Sequence, residues 1–431
     1  MPAPVHGAMT ALTPPPAGDL DGSGGRDQRD LQQFLLYLGS GLTAAGEAVN
    51  RIEERLRVVA AAYGAPHARI SVLPTYSAVA LEPGRPATLE PTRQLRGALR
   101  LDQTGALFEV LKEAEAGVMP PREGSARIRR IVDSGPRFST AVTIFGHAVL
   151  TTGICLVLQP TWDDLALAAV FGVLVAVLKR AGTRWTSVQM IMPVSAAFLV
   201  AATTFLLSGQ GWVDADIRSM IAPLVTFLPG AMLTMAVIEL SAAEMITGAS
   251  RLVAGSLQLL LLAFGIVGAT QVVGLPSADR LVDAPANLLG WWAPWLGVLL
   301  VGIGSYLYHS APPRSLGWLC LVLYAGWIGQ YLGGLLFGGY LSGFFGAIVM
   351  TPVAYLVERR PSGPPALVSF LPAFWLLVPG ALGLIGLTEY LGQDEAAGIQ
   401  DFLGAVGSMI AIALGVLCGY PLHRSLSRLA G

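Results

Sequence analysis

Two Pro-Gly pairs stand 150 residues apart, at Pro229-Gly230 and Pro379-Gly380. Proline lacks a backbone N–H and disrupts the helical turn before it. Glycine lets a ligand approach the backbone. Inside an apolar helix such a pair opens the backbone, and the exposed N–H and C=O groups suit the two ends of a zwitterion. The same offset pairs Ala231 with Ala381, Glu239 with Glu389, Glu244 with Asp394 and Gly248 with Gly398. Agreement at so many positions and one offset points to an internal repeat. The plainer alternative is that each Pro-Gly merely kinks a helix for packing.

Ionisable groups within apolar segments are expensive, which makes them functional candidates. Glu239 falls near the inner end of its segment and Glu389 near the outer end of its own. That placement suits gates or proton-coupling carboxylates, while the alternative is two solvated helix ends. His147 lies about eight residues into an apolar segment and could take a proton or simply pack. Asp163 and Asp164 sit at a predicted outer turn, where they either collect cations or protons or cap a helix. Gln189 and Gln330, in or near the third and eighth segments, could bind a carboxylate or amine; hydrogen bonding between helices is the favoured alternative. Cys155, Cys320 and Cys418 lie in apolar stretches with no metal or disulfide spacing, so no cofactor is expected.

The elements that position these residues follow from hydropathy. The chain has 431 residues, 53% hydrophobic and 13% charged, with a mean hydropathy of +0.60. Soluble proteins are about 25% charged. Of the charged residues, 31 lie in the first 137 positions and 24 in the remaining 294. This predicts a soluble head and a membrane body, and the net charge of -1 offers no case for nucleic acid.

Ten apolar segments can be drawn, at 139–159, 162–178, 187–207, 219–240, 252–274, 288–308, 315–334, 337–357, 367–388 and 402–420. With the N-terminus inside, nine basic residues fall in inner loops and the C-terminal end, against Arg218 and Arg280 outside. Trp185, Trp291, Trp292 and Trp295 read as interfacial anchors. The copies of the repeat lie in the fourth and ninth segments, so the body divides into two five-helix halves, 138–274 and 288–425. Five is odd, so the halves face opposite ways, the plan of many secondary transporters. The expected fold is an all-α polytopic membrane protein of ten helices in two inverted repeats, preceded by a small α+β domain.

Residues 1–29 form a Pro/Gly/Asp-rich tail without a secretory signal, expected to be disordered. The head spans 30–137. Its pattern predicts a helix over 31–63, broken near Gly39–Gly46 and stopped at Gly64. Strand-like residues follow at 68–82 and 96–101, then helices at 106–116 and 125–134, the last leading into the membrane. The head carries no evident nucleophile–base pair, so a structural or regulatory role is expected over catalysis.

The chain resembles the threonine/serine exporter family. The segment Leu38-Gly-Ser-Gly-Leu-Thr-Ala-Ala-Gly46-Glu47-Ala-Val-Asn-Arg51-Ile52-Glu53 resembles that family's opening helix, and Leu73-Pro-Thr75 its following strand. Phe145-Gly146 through Asp163/Asp164 is similar to its first membrane hairpin. Leu228-Pro-Gly230 and Val378-Pro-Gly380 match its Pro-Gly signature, and the resemblance spans about 31–425. It implies a bacterial inner-membrane exporter of L-threonine and L-serine, driven by the proton gradient, with a cytoplasmic head. The partners would then be a small amino acid, protons and lipid, with a homo-oligomer left open. A passive channel for small polar metabolites, or a membrane protein with an enzymatic head, remain alternatives.

Overall fold

A computed structural model describes residues 23–82, 84, 86–91, 98–158, 161–182, 185–213, 217–273, 289–338, 341–377, 384 and 395–429. The head opens with α1 (Ser23–Ala45) and α2 (Val49–Ala62). Helix α1 therefore includes residues 23–29, which the composition assigned to the tail. The expected break falls at Gly46, whose φ of 89° is a left-handed turn that favours glycine. Gly64, with φ 83°, stops α2 as predicted.

Strands β1 (Arg69–Val72) and β2 (Tyr76–Ala80) form a hairpin around Pro74, and β2 pairs antiparallel with β3 (Thr88–Pro91). The third strand thus precedes the 96–101 stretch proposed for it, whose residues 96 and 97 lie outside the described residues. Leu101 instead begins α3 (Leu101–Glu115), because Gln103 accepts from the Arg100 N–H in a capping box. Helix α4 (Pro121–Val132) has proline in its first turn, where a missing N–H costs nothing. It packs on α1 rather than simply leading inward: a Cβ on Gly124 would overlap the Phe34 ring. Phe34, Leu38, Ile52, Leu56 and Leu107 are fully buried in the head core.

The body contains α5 (Thr140–Val157), α6 (Trp162–Gly182), α7 (Thr186–Gly209), α8 (Ile217–Leu224), α9 (Gly230–Ser241) and α10 (Met245–Val273). After residues outside the description come α11 (Ala293–Tyr308), α12 (Leu316–Phe337), α13 (Ser342–Glu358), α14 (Ala366–Leu376) and α15 (Glu395–Leu429). Among the described residues six helices are long and apolar enough to cross a membrane, and seven if the bent pair α8/α9 is one span. Helices α11, α13 and α14 are apolar but shorter. Each of the ten expected segments meets a helix, but fewer reach spanning length.

Without water to drive apolar burial, membrane helices associate through close packing at small residues. Helix α5 runs antiparallel to α11 along such a seam: Gly146 faces Leu307 and Tyr308, Leu150 faces Gly304, and Gly153 faces Gly297 and Val301. A Cβ on Gly265 of α10 would come 2.5 Å from the Val194 carbonyl and 2.9 Å from the Ala197 Cβ of α7. A Cβ on Gly415 of α15 would come 2.5 Å from the Phe344 carbonyl and 2.7 Å from the Ala347 Cβ of α13. All three residues of the second contact lie 150 positions after those of the first. Large apolar side chains such as Phe264, Val272, Leu335 and Leu336 point outward. Trp185, Trp291, Trp292 and Trp295 cap or flank helix ends, although Trp295 also stacks on Tyr324 within the body.

The head packs on one end of this bundle. Leu101 donates its N–H to the His309 carbonyl just past α11, and Leu367 of α14 joins the head core. Contacts with α10, α13 and α15 lie on the same face.

Candidate functional site

Helix α8 continues for one turn of 3-10 helix through residues 225–227 and then breaks. Pro229 caps α9, and the two parts meet at 50°. Pro229 cannot donate to the turn before it, so carbonyls ahead of the break need other partners. Two helices supply them. Lys179 of α6 donates to the Thr226 hydroxyl at 2.9 Å and reaches its carbonyl at 3.5 Å. Gln258 of α10 donates to the Phe227 carbonyl at 2.6 Å. The Lys179 ammonium also lies 4.4 Å from the Phe227 ring centroid and 5.7 Å from that of Tyr308.

His147 completes this cluster. It is fully buried on α5, with Nδ1 2.7 Å from the Gly172 carbonyl and Nε2 3.0 Å from the Thr226 hydroxyl. A carbonyl only accepts, so Nδ1 carries the proton. With a neutral ring Nε2 accepts from Thr226, whose hydroxyl accepts from Lys179. Gly172 allows this approach, because a side chain there would overlap Thr151.

The break borders a cavity of about 970 Å³. Lys179, Gln189, residues 226–229 and Gln258 line it from the body, and Gly46, Leu99 and Arg100 line it from the head. Of the expected site residues, the structure therefore brings Pro229, Gly230, Gln189 and His147 to one region. Gln330 belongs elsewhere. It lies on α12, the seventh segment rather than the eighth, and its amide faces the Leu377 carbonyl at 3.4 Å.

Glu239 is buried at the far end of α9. It pairs with Arg251 of α10 at 3.0 Å and accepts the Val49 N–H at 3.3 Å. Arg251 in turn reaches the Glu47 carbonyl at 3.4 Å. The carboxylate thus sits at the first turn of α2, where the helix dipole favours a negative charge. The same turn of α2 and the next one meet other helices. Arg51 lies over the rings of Tyr355 on α13 and Tyr420 on α15 and donates to the Tyr355 hydroxyl. Arg55 lies 3.9 Å from Glu358. Beside this contact, burial raises the Glu244 carboxyl above its ordinary range, and Glu53 adds to the shift while Arg57 opposes it.

Asp164 is buried as a helix cap. Its carboxylate accepts from the Thr161 N–H and hydroxyl at 2.9 and 2.8 Å, and the Thr161 hydroxyl faces the Asp164 N–H at 3.2 Å. Asp163 is exposed beside it. Pro379, Gly380 and Glu389 lie outside the described residues. Lys179, Thr226 and Gln258 were not expected. Lys179 reads in the sequence as a marker of topology, and Thr226 aligns with an apolar Leu376, which hides it.

The family model described as "Putative threonine/serine exporter" matches residues 33–273, which covers the described head and the body through α10. Neither a curated protein nor a solved structure matches the chain. The match takes in more than half of the sequence, including Pro229-Gly230 and the residues around it, and the chain belongs to the threonine/serine exporter family.

Proposed function

We propose that this membrane protein exports small amino acids, L-threonine and L-serine, from the cytoplasm of a bacterium across its inner membrane, driven by the proton gradient. The observation that carries this reading is the broken span at Pro229 bordering the cavity of about 970 Å³. Backbone opened inside a membrane is tolerated where it lines a cavity or is buried in protein, and broken helices are where transporters bind substrate. The head covers the end of the bundle that carries residues 242–244, 309–315 and 359–365. Those are inner loops by the distribution of basic residues, in keeping with a cytoplasmic head.

Two inverted halves would supply alternating access. The antiparallel α5/α11 seam supports opposite orientations. The Gly265 and Gly415 contacts, 150 residues apart, support equivalent helix pairs. Substrate would bind around Pro229, Gly230 and Gln189, and around Pro379 and Gly380 in the other half. Gln330 would steady that second segment. His147, Glu239, Glu389 and Asp164 are the proton-coupling or gating candidates, with Asp164 the weakest because it already caps α6.

The test is efflux from cells loaded with threonine- or serine-containing dipeptides. Expression of the protein should speed amino-acid release, and an uncoupler should slow it. Release that is unchanged by expression sinks the exporter; release that ignores the uncoupler indicates a passive channel.

A further inference from the structure

The geometry points to Lys179 as the group that holds the substrate's carboxylate, a role with no counterpart in the second half. This rests on the reading above, which supplies an amino acid as substrate.

Four basic side chains line the cavity, Arg100, Lys179, Arg180 and Arg251, and no Asp or Glu is among the described lining residues. Such a lining favours an anionic group. Arg251 is committed to Glu239. Arg100 is committed to Asp102 and to the carbonyls of Ser134 and Gly135, and Arg180 is itself engaged. Lys179 differs: its polar contacts among the described residues are the hydroxyl and carbonyl of Thr226, both neutral. An ammonium has three donors, so those contacts leave one to spare. A lysine four residues from a helix end usually extends towards water. Here it turns inward, to the residues just ahead of Pro229. A carboxylate placed there would meet the ammonium and the first N–H groups of α9, and both favour negative charge.

The second half contains the bond but not the charge. Lys179 and its acceptor Thr226 are 47 residues apart; Gln330 and its acceptor Leu377 are also 47 apart, both one position on from the 150 offset, which matches Leu377 with Phe227, itself held by the neutral Gln258. Glutamine therefore suffices to hold a carbonyl ahead of a Pro-Gly pair, and the positive charge in the first half is left for something else.

That comparison supplies the experiment. Full-length protein in proteoliposomes is assayed by counterflow of labelled L-serine. The Lys179→Gln variant installs the second half's own solution. A tenfold or greater rise in KM for L-serine is expected, with a smaller change in maximal rate, and Lys179→Arg should lie between. In the wild type, unlabelled serine should compete, while serine methyl ester, whose carboxyl is uncharged, should need at least tenfold more. A KM within twofold of wild type in Lys179→Gln overturns the assignment, and so does an ester that competes as well as serine. If Lys179→Gln fails to insert, the ester comparison and Lys179→Arg decide. A wild type that moves neither serine nor threonine instead removes the exporter reading on which the assignment stands.

Discussion

The segments ahead of Pro229 and Pro379 each offer a carbonyl to a side chain of another helix, with different chemistry. In the first, Lys179 and Gln258 satisfy the carbonyls of residues 226 and 227, and His147 backs the Thr226 hydroxyl. In the second, Gln330 faces the Leu377 carbonyl at 3.4 Å. The first segment is also tied to the head, because Glu239 lies in the last turn of α9 and its carboxylate accepts the Val49 N–H. The second half meets the same head helix through rings, a hydrogen bond to the Tyr355 hydroxyl and a long ion pair to Glu358. The matching glycine contacts at Gly265 and Gly415 are thus accompanied by different polar groups. A held carbonyl is common to both segments, whereas charge is not.

The strongest attack on this contrast is at the buried ion pair. Removing one partner of such a pair leaves an uncompensated charge and costs about 3 kcal/mol. Glu239→Ala should therefore lower thermal stability clearly, and the Glu239→Ala/Arg251→Ala double variant should lose less than the sum of the two. On the other side, Arg51→Ala removes ring contacts worth about 1 kcal/mol and a hydrogen bond to the Tyr355 hydroxyl worth about 1 kcal/mol more. Equal losses at Glu239 and Arg51 would mean that the head leans on both halves alike.

Next comes the shared scaffold. Gly265→Val and Gly415→Val each push a side chain into a backbone carbonyl 2.5 Å away, and overpacking of this kind costs about 1–3 kcal/mol. The two variants should be destabilised by similar amounts, read as melting temperature in detergent. A large difference would show that the halves do not pack equivalently.

Helix breaking should separate transport from stability. Pro229→Ala restores a backbone donor and should lower transport per inserted molecule at least tenfold, about 1.4 kcal/mol of barrier, while expression changes less. Pro379→Ala should act in the same direction. Transport per molecule equal to wild type in both variants would remove the Pro-Gly pairs from the mechanism.

These contrasts were only partly legible in the sequence. Apolar runs are long and unambiguous, so every expected segment met a helix. Length was harder: α11 starts at Ala293 rather than 288, since Gly290 takes a positive φ and Pro294 opens the helix. Small strands were harder still, because β3 contains a proline and α3 starts early on a capping box formed with Arg100. The Pro-Gly pair was visible because both copies keep it. Lys179 and Thr226 were not, because the repeat changes them to Gly329 and Leu376 at the 150 offset. The equivalent donor, Gln330, is shifted by one residue, which an ungapped comparison cannot detect. The polar groups that hold the backbone lie where the two segments differ, and self-similarity shows only where they agree.

The smallest expected effect tests this last point. Gln330→Leu removes one neutral hydrogen bond of 3.4 Å. A bond of that kind contributes about 1 kcal/mol or less. The Leu377 carbonyl would lose its amide donor, so a modest fall in melting temperature is expected. KM for L-serine should stay within twofold of wild type, because Gln330 carries no charge for the substrate to meet. Gln330→Lys sharpens the test by giving the second half the first half's chemistry. If Lys179 acts through its charge, the added lysine creates a second anion-attracting position and should alter serine affinity more than Gln330→Leu does. If instead Gln330→Leu raises KM as much as Lys179→Gln does, both halves hold the substrate and the assignment of the carboxylate to one of them falls.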